Sequence, residues 1–447
     1  MSIFDGKRLT NETFKLDIER MRRGWYSDKY FENINRMLIN LSLGGYNYSG
    51  HFHNLPKGIS AEDIDVGDIE VEMQWFTRRM GITTVVGVDK SLAMLRHCTG
   101  YFESDKFIDT SDKLEVWAVQ DGSIVKYDGD PTNIQPVIKV RGRYRDFALL
   151  ETPSLGILTR SSRVATNVYE TLVAASGKPV LFFPARFDVH EVQAADGYAY
   201  NIALQRFNRE HAHALGAFVS TDAQGDWWGG AGGGTVAHAA IASFLGDTAE
   251  AMMEFSRILP ERIPRIALVD FNNDSVRDTL RVLDTMFAKY RELVDAGNKA
   301  EAEKYKLYGV RLDTSGSLRD VSVQPLGDPA LDLGVIPRLV FNVRQGVDHA
   351  WENWNIPEIW KEAAKEYCQS VKIVVSGGFN PEKIRKFEKL EVPVDIYAVG
   401  SYLFNNSHST TTDYTSDVVR VKIHGEWVDM AKVGRKVGEN ENLERVW

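Results

Sequence analysis

VKIVVSGGFNPEKIRKFEKLEVPVDIYAVGS, from Val371 to Ser401, reads as a strand, a glycine turn, a helix and a second strand that ends in another glycine turn. Asn380-Pro381 opens the helix, with Pro381 suited to a first helical turn and Ile384 and Phe387 on one face. Upstream, VLFF at Val180, LGAFV at Leu215, RIALVD at Arg265 and LYGVRLD at Leu307 are further apolar runs separated by helical periodicity. Asp274 and Ser275 are N-cap candidates for a helix carrying Val276, Leu280, Leu283, Phe287 and Leu293, and another helix begins at Pro337. Such alternation predicts β/α units around a parallel sheet from residue 156 to residue 404.

A different rhythm precedes it. Between Val66 and Tyr144 the runs TTVVGV, KLEVWAV, SIVKY and PVIKV are short and broken by Asp-Gly at Asp121 and Asp128. They predict an antiparallel sheet in an α+β domain spanning 1–155. VVRVKIHGEW, near the other end, reads as a hairpin returning to that domain, so that 405–447 would complete it.

With 447 residues, two or three domains are expected. A net charge of -9 argues against a general nucleic-acid binder, because no positive surplus would attract phosphate chains. Cys98 and Cys368 are too few for a disulfide framework or a four-thiolate zinc site. No signal peptide or membrane-length apolar run stands out, so the expectation is a cytoplasmic protein in a reducing compartment.

In a β/α barrel the functional groups follow the C-terminal ends of the strands, whose loops share one mouth. Arg186 follows VLFF, Thr221 and Asp222 follow LGAFV, and Asp270 ends RIALVD. Arg311 and Asp313 end LYGVRLD, Ser376-Gly377-Gly378 follows VKIVV, and Gly400-Ser401 follows VDIYAV. Each alone is ordinary turn chemistry; recurrence at six strand ends is not. The last two turns suit a sugar phosphate held on backbone amides. His51/His53 and His211/His213 have metal-like spacing but no evident carboxylate companion, and no metal ligand is assigned. His238 follows a glycine-rich loop, where core and catalytic roles are equally open.

Five segments together resemble the nicotinate phosphoribosyltransferases: YSDKYF at Tyr26, LFFPARFD at Leu181, GGTVAHA at Gly233, YGVRLDTSG at Tyr308, and VVSGGFN with YAVGSYLF. ETPSLGIL at Glu151 and RIALVDFNND at Arg265 agree in order, so the resemblance spans Tyr26 to Phe404. It implies an α/β fold: an incomplete β/α barrel plus an α+β domain assembled from N- and C-terminal segments. It also implies transfer of phosphoribose from phosphoribosyl pyrophosphate (PRPP) to nicotinate in NAD salvage, with Mg²⁺ and with ATP as co-substrate. In this resemblance Asp28 and Tyr30 reach the pyridine ring of a neighbouring subunit, so a homodimer with shared sites is implied. Phe183 and Arg186 match a Phe-x-x-Arg, although Pro184-Ala185 replaces the usual Gly-containing pair. Thr235 and His238 match a Gly-Thr-x-x-His whose histidine is phosphorylated, and Asp270 matches its supporting carboxylate. Arg311 and Asp313 match an Arg-x-Asp that handles ribose and base, although the last carboxylate of the usual Asp-Ser-Gly-Asp is a serine here. Ser376, Gly377, Gly378, Gly400 and Ser401 match the turns that hold the 5-phosphate. Thr221 matches a serine where the related nicotinamide enzyme carries an aspartate, implying acid over amide; a loop shift of one residue would put Asp222 there instead. Quinolinate and nicotinamide phosphoribosyltransferases, and a non-catalytic sugar-phosphate-binding barrel, are the alternatives.

Overall fold

The computed structural model describes residues 3–50, 55 and 58–447, and the chain divides into two compact units. His51 and His53 lie outside the described residues.

The first unit comprises Met1–Tyr169, Tyr198–Arg209 and Asn405–Trp447. Its main sheet is antiparallel, in the order Glu426–Asp429, Tyr414–Ile423, Glu70–Thr77, Ile138–Arg143, Glu115–Ala118 and Glu444–Arg445. The returning hairpin is therefore real. Tyr414–Ile423 runs the length of Glu70–Thr77, pairing Val71 with Val421 and Thr77 with Tyr414. Ile138, Val140 and Gly142 alternate inward along their strand and pack with Trp75, Val116, Leu92, Leu95 and Leu158. The short runs TTVVGV and SIVKY supply a separate two-stranded antiparallel sheet, Gly81–Thr84 with Ile124–Tyr127. Residues 155 and 156, expected to divide two domains, fall inside one helix, Glu151–Ala174.

Glu170–Gly197 and Glu210–Phe404 form the second unit. Five parallel strands lie in the order Val180–Phe182, Ile396–Val399, Lys372–Val375, Gly309–Leu312 and Ile266–Leu268. Their buried, β-branched composition is what a sheet covered on both faces requires. LGAFV is not a strand, contrary to expectation. It contributes one parallel bridge, Val219 to Phe182, and Val219 in turn bridges Gly232. Beyond Gly232 no backbone pairing reaches Ile266–Leu268 among the described residues, so the barrel is incomplete.

The covering helices start where the sequence signals place them. The Asp274 carboxylate accepts from the Arg277 N–H at the start of Ser275–Asp295, burying Val282, Leu283, Met286 and Phe287. Asn380 accepts from the Lys383 N–H at 2.8 Å and opens Pro381–Lys389, whose Ile384 and Phe387 are buried. Pro337–His349 buries Leu339, Val340, Val343 and Val347. Among the described residues no helix is long and apolar enough to cross a membrane.

Candidate active site

Parallel pairing in register puts the ends of the five strands at one level, and alternation decides which side chains face inward. Ile266, Val374, Ile396 and Ala398 form an interior cluster, with Leu181 and Phe183 packed against it. Steps of two from these residues reach Asp270, Ser376 and Gly400. On the neighbouring strand Arg311 and Asp313 share one parity. The inward residues just past each strand therefore meet around a cavity of about 530 Å³.

Phe183, Arg186, Thr235, His238, Arg311, Asp313, Ser376, Gly377, Gly378, Gly400 and Ser401 all line that cavity. His238 lines the cavity and pairs with Asp270, which is not itself among the lining residues. His238 Nε2 lies 3.0 and 3.1 Å from the two Asp270 carboxylate oxygens. The imidazole is about half exposed while the carboxylate is buried. Burial holds the Asp270 carboxyl above its usual range, the attraction of His238 offsetting only part of that cost. A carboxylate on Nε2 selects the tautomer with its proton there, leaving Nδ1 as a free nucleophile.

Arg311 is mostly buried, donates weakly to the Val236 carbonyl (3.4 Å), and has its pKa lowered by burial. Arg186 lies over the Phe187 ring, 5.1 Å from its centroid. Neither arginine is in an ion pair among the described residues, so two cationic groups face the cavity with unspent hydrogen-bonding capacity. The Phe183 ring meets Phe218 at 5.6 Å, forming one apolar wall.

Two backbone turns also line the cavity. Gly377 and Gly378 have φ of 85° and 68°, left-handed values that side chains resist. A Cβ on Gly400 would stand 2.8 Å from the Phe187 ring, so glycine there answers a close approach. The N–H groups of Gly377, Gly378 and Gly400 donate to no protein acceptor among the described residues. Ser376 is anchored, donating through both N and Oγ to the Leu312 carbonyl at 2.9 and 3.2 Å.

Thr221 is a correction. It does not line the cavity. Its hydroxyl donates to Gln193 Oε1 (2.8 Å) and accepts from the Gln224 N–H, capping the helix Asp222–Gly225. Asp222 is likewise occupied, accepting from the Gly232 N–H at 2.8 Å. The residue of this loop that lines the cavity is Ser220. Its hydroxyl donates to Gln224 Oε1 at 3.1 Å, and Gln224 Oε1 also accepts from the N–H groups of Ser220 and Thr221.

Asp28 and Tyr30 belong to the first unit, whereas the described residues that line this cavity belong to the second. Asp28 accepts from the Thr152 hydroxyl at 2.9 Å, and the Tyr30 ring is more than half exposed beside Phe31. His211 ends the helix Gln193–His211, and His213 packs close to Gly177. No group of three His, Cys, Asp or Glu side chains is placed to hold a metal among the described residues.

No family model matches this chain, and no curated protein matches it by sequence. Solved structures do match its fold. Nicotinate-nucleotide pyrophosphorylase from Pyrococcus furiosus is 22% identical, with a TM-score of 0.61 over 95% of this chain and 81% of that one. Human nicotinic acid phosphoribosyltransferase is 16% identical, with a TM-score of 0.52 over 89% of this chain and 75% of that one. At such identities the likeness establishes the fold: an α/β chain with an incomplete barrel and an α+β unit built from both chain ends.

Proposed function

We propose that this chain is a nicotinate phosphoribosyltransferase, joining the ring nitrogen of nicotinate to C1 of PRPP with release of pyrophosphate. One observation carries the reading: an aspartate-held histidine, two arginines outside ion pairs and two turns with free amides face the same cavity.

The reaction needs positioning and charge more than proton transfer. The ring nitrogen donates its lone pair to C1 while the C1–O bond electrons leave with pyrophosphate, through an oxocarbenium-like state. Phe183 offers the ring a flat apolar wall, and Arg186, which lines the same cavity, would receive its carboxylate. The turns at Gly377–Gly378 and Gly400–Ser401 accept the 5-phosphate on backbone amides. Asp313 faces the cavity outside any ion pair among the described residues, suited to the positive charge that develops on the ribose. Mg²⁺ would be held by pyrophosphate oxygens together with Asp313, a sparse protein donor set that suits a cation keeping phosphate and water ligands. When bound it would neutralise leaving-group charge.

His238 supports coupling to ATP. Its Nδ1 attacks the γ-phosphorus, the bond to the β-phosphate oxygen breaks and ADP departs; Asp270 stabilises the imidazolium through Nε2–H. A decarboxylating enzyme for quinolinate has no use for such a pair. Incubation with PRPP, Mg²⁺ and either nicotinate or quinolinate, with and without ATP, tests the reading. Nicotinate mononucleotide formation that ATP increases is expected; product from quinolinate alone, with release of CO₂, would overturn it.

A further inference from the structure

Behind the Ser376–Phe379 turn, Lys383 projects from the first turn of the helix Pro381–Lys389. Its ammonium donates to the Gly377 carbonyl at 3.3 Å and lies 4.1 Å from the centroid of the Phe379 ring, with Phe387 at 5.9 Å. Lys178, also partly covered, has a carboxylate partner, pairing with Glu388 at 2.8 Å, and the more exposed Lys372 pairs with Asp395 at 3.1 Å. Lys383 has none among the described residues. The one charge that bears on it is Lys386, of the same sign and on the same helix. Burial and Lys386 together bring it down to about 8. A covered cation of this kind is costly unless an anion completes it.

Its geometry also acts on the turn. In a trans peptide the carbonyl of one residue and the N–H of the next point in opposite directions, and the structure has no cis peptide among the described residues. Holding the Gly377 carbonyl on the helix side therefore aims the Gly378 N–H the other way. That N–H donates to no protein acceptor, and Gly378 lines the cavity. The two glycines, both at positive φ, have few contacts of their own to fix this orientation.

We propose that Lys383 is a positioning residue for a phosphomonoester: its ammonium locks the Gly377–Gly378 peptide so that the amide faces the anion, and its unpaired charge attracts that anion across the peptide. The role rests on the reading of PRPP as substrate and deepens it, since it names the group that organises the 5-phosphate subsite. It was not legible from the glycine motif, because Lys383 lies on the solvent-covering helix and acts through a backbone carbonyl.

The test uses Lys383→Met, which keeps the stem but removes the charge, and Lys383→Arg, which keeps charge and donor. Steady-state kinetics with both substrates are combined with calorimetric binding of ribose 5-phosphate. Lys383→Met is expected to raise the KM for PRPP and the Kd for ribose 5-phosphate about tenfold, the loss of one charge-assisted contact. The KM for nicotinate and kcat should stay within about twofold, and Lys383→Arg should restore binding. In the unmodified protein ribose 5-phosphate affinity should fall above pH 8 as the ammonium deprotonates, whereas Lys383→Arg should hold it. Unchanged ribose 5-phosphate affinity in a folded Lys383→Met protein overturns the role; so does a parallel rise in both KM values that arginine does not rescue. An unmodified protein that binds ribose 5-phosphate in a Lys383-dependent way yet turns over no nicotinate sinks the reaction assignment and supports the subsite.

Discussion

Asp270→Asn separates what the His238 pair contributes to chemistry from what it costs the fold. The substitution keeps shape and an acceptor oxygen for Nε2–H but removes the charge that stabilises an imidazolium. Hydrogen bonds to charged partners contribute about 1.5–3 kcal/mol. His238 is about half exposed, so solvent competes and the lower end applies, equivalent to roughly a tenfold loss in phosphoryl transfer. The stability effect has the opposite sign. Asp270 holds its proton more tightly in the folded chain than in the unfolded one, because burial outweighs the attraction of His238. Its contribution to stability is thus complete below the ordinary carboxylate range and is lost as pH rises through the raised value. At pH 7 the ionised carboxylate is a net cost, and the neutral amide relieves it. The expected outcome is a protein with unchanged or higher Tm at pH 7 and about one tenth of the incorporation of label from γ-labelled ATP. Full phosphorylation in the variant, or a Tm well below that of the unmodified protein, would refute the reasoning.

Gly400→Ala places a Cβ 2.8 Å from the exposed Phe187 ring, which can move at about 1 kcal/mol and carry Arg186 with it, so the KM for nicotinate should rise roughly fivefold with little loss of Tm. Thr221→Ala should cost about 1 kcal/mol as a lost helix cap and leave the preference for nicotinate over nicotinamide unaltered. Ser220→Asp, by contrast, should lower nicotinate turnover by like-charge repulsion; an effect confined to position 221 would show that the inward residue is misplaced. Mixing inactive Tyr30→Ala with inactive Arg311→Ala should restore part of the activity through heterodimers, and no recovery after verified subunit exchange would mean that each chain supplies its own site.

The cavity was readable because parallel strands in register convert a one-dimensional pattern into a ring: any polar residue just past an apolar run lands at the same end. Two failures have physical causes. Glu70–Thr77 alternates polar and apolar residues as a strand does, but the burial of its polar face was not legible: Glu72 is held by Arg141 at 2.7 Å and Gln74 by the Lys436 carbonyl and the Gly438 N–H. Ion pairs and amide contacts satisfy that second, polar face where solvent would on a half-buried strand. LGAFV has the composition of a strand, but only Val219 pairs, because the chain turns at once into the capped Asp222–Gly225 helix. Thr221 looked like a recognition residue for the same reason: a cap hydroxyl and a ligand hydroxyl are the same letter.

Synthesis of the chain meets the antiparallel sheet in an awkward order. Glu70–Thr77 lies between Ile138–Arg143 and Tyr414–Ile423, so one of its two hydrogen-bonding edges has no partner until almost the whole chain has emerged. At about 5–20 residues per second the wait is on the order of tens of seconds, during which most of the second unit has already left the ribosome. Over that interval Trp75 and Phe76 sit on an open edge, the situation in which strands pair with the wrong neighbour. Chains released before Tyr414–Ile423 is made would carry that edge permanently, which makes them natural targets for chaperones and proteases.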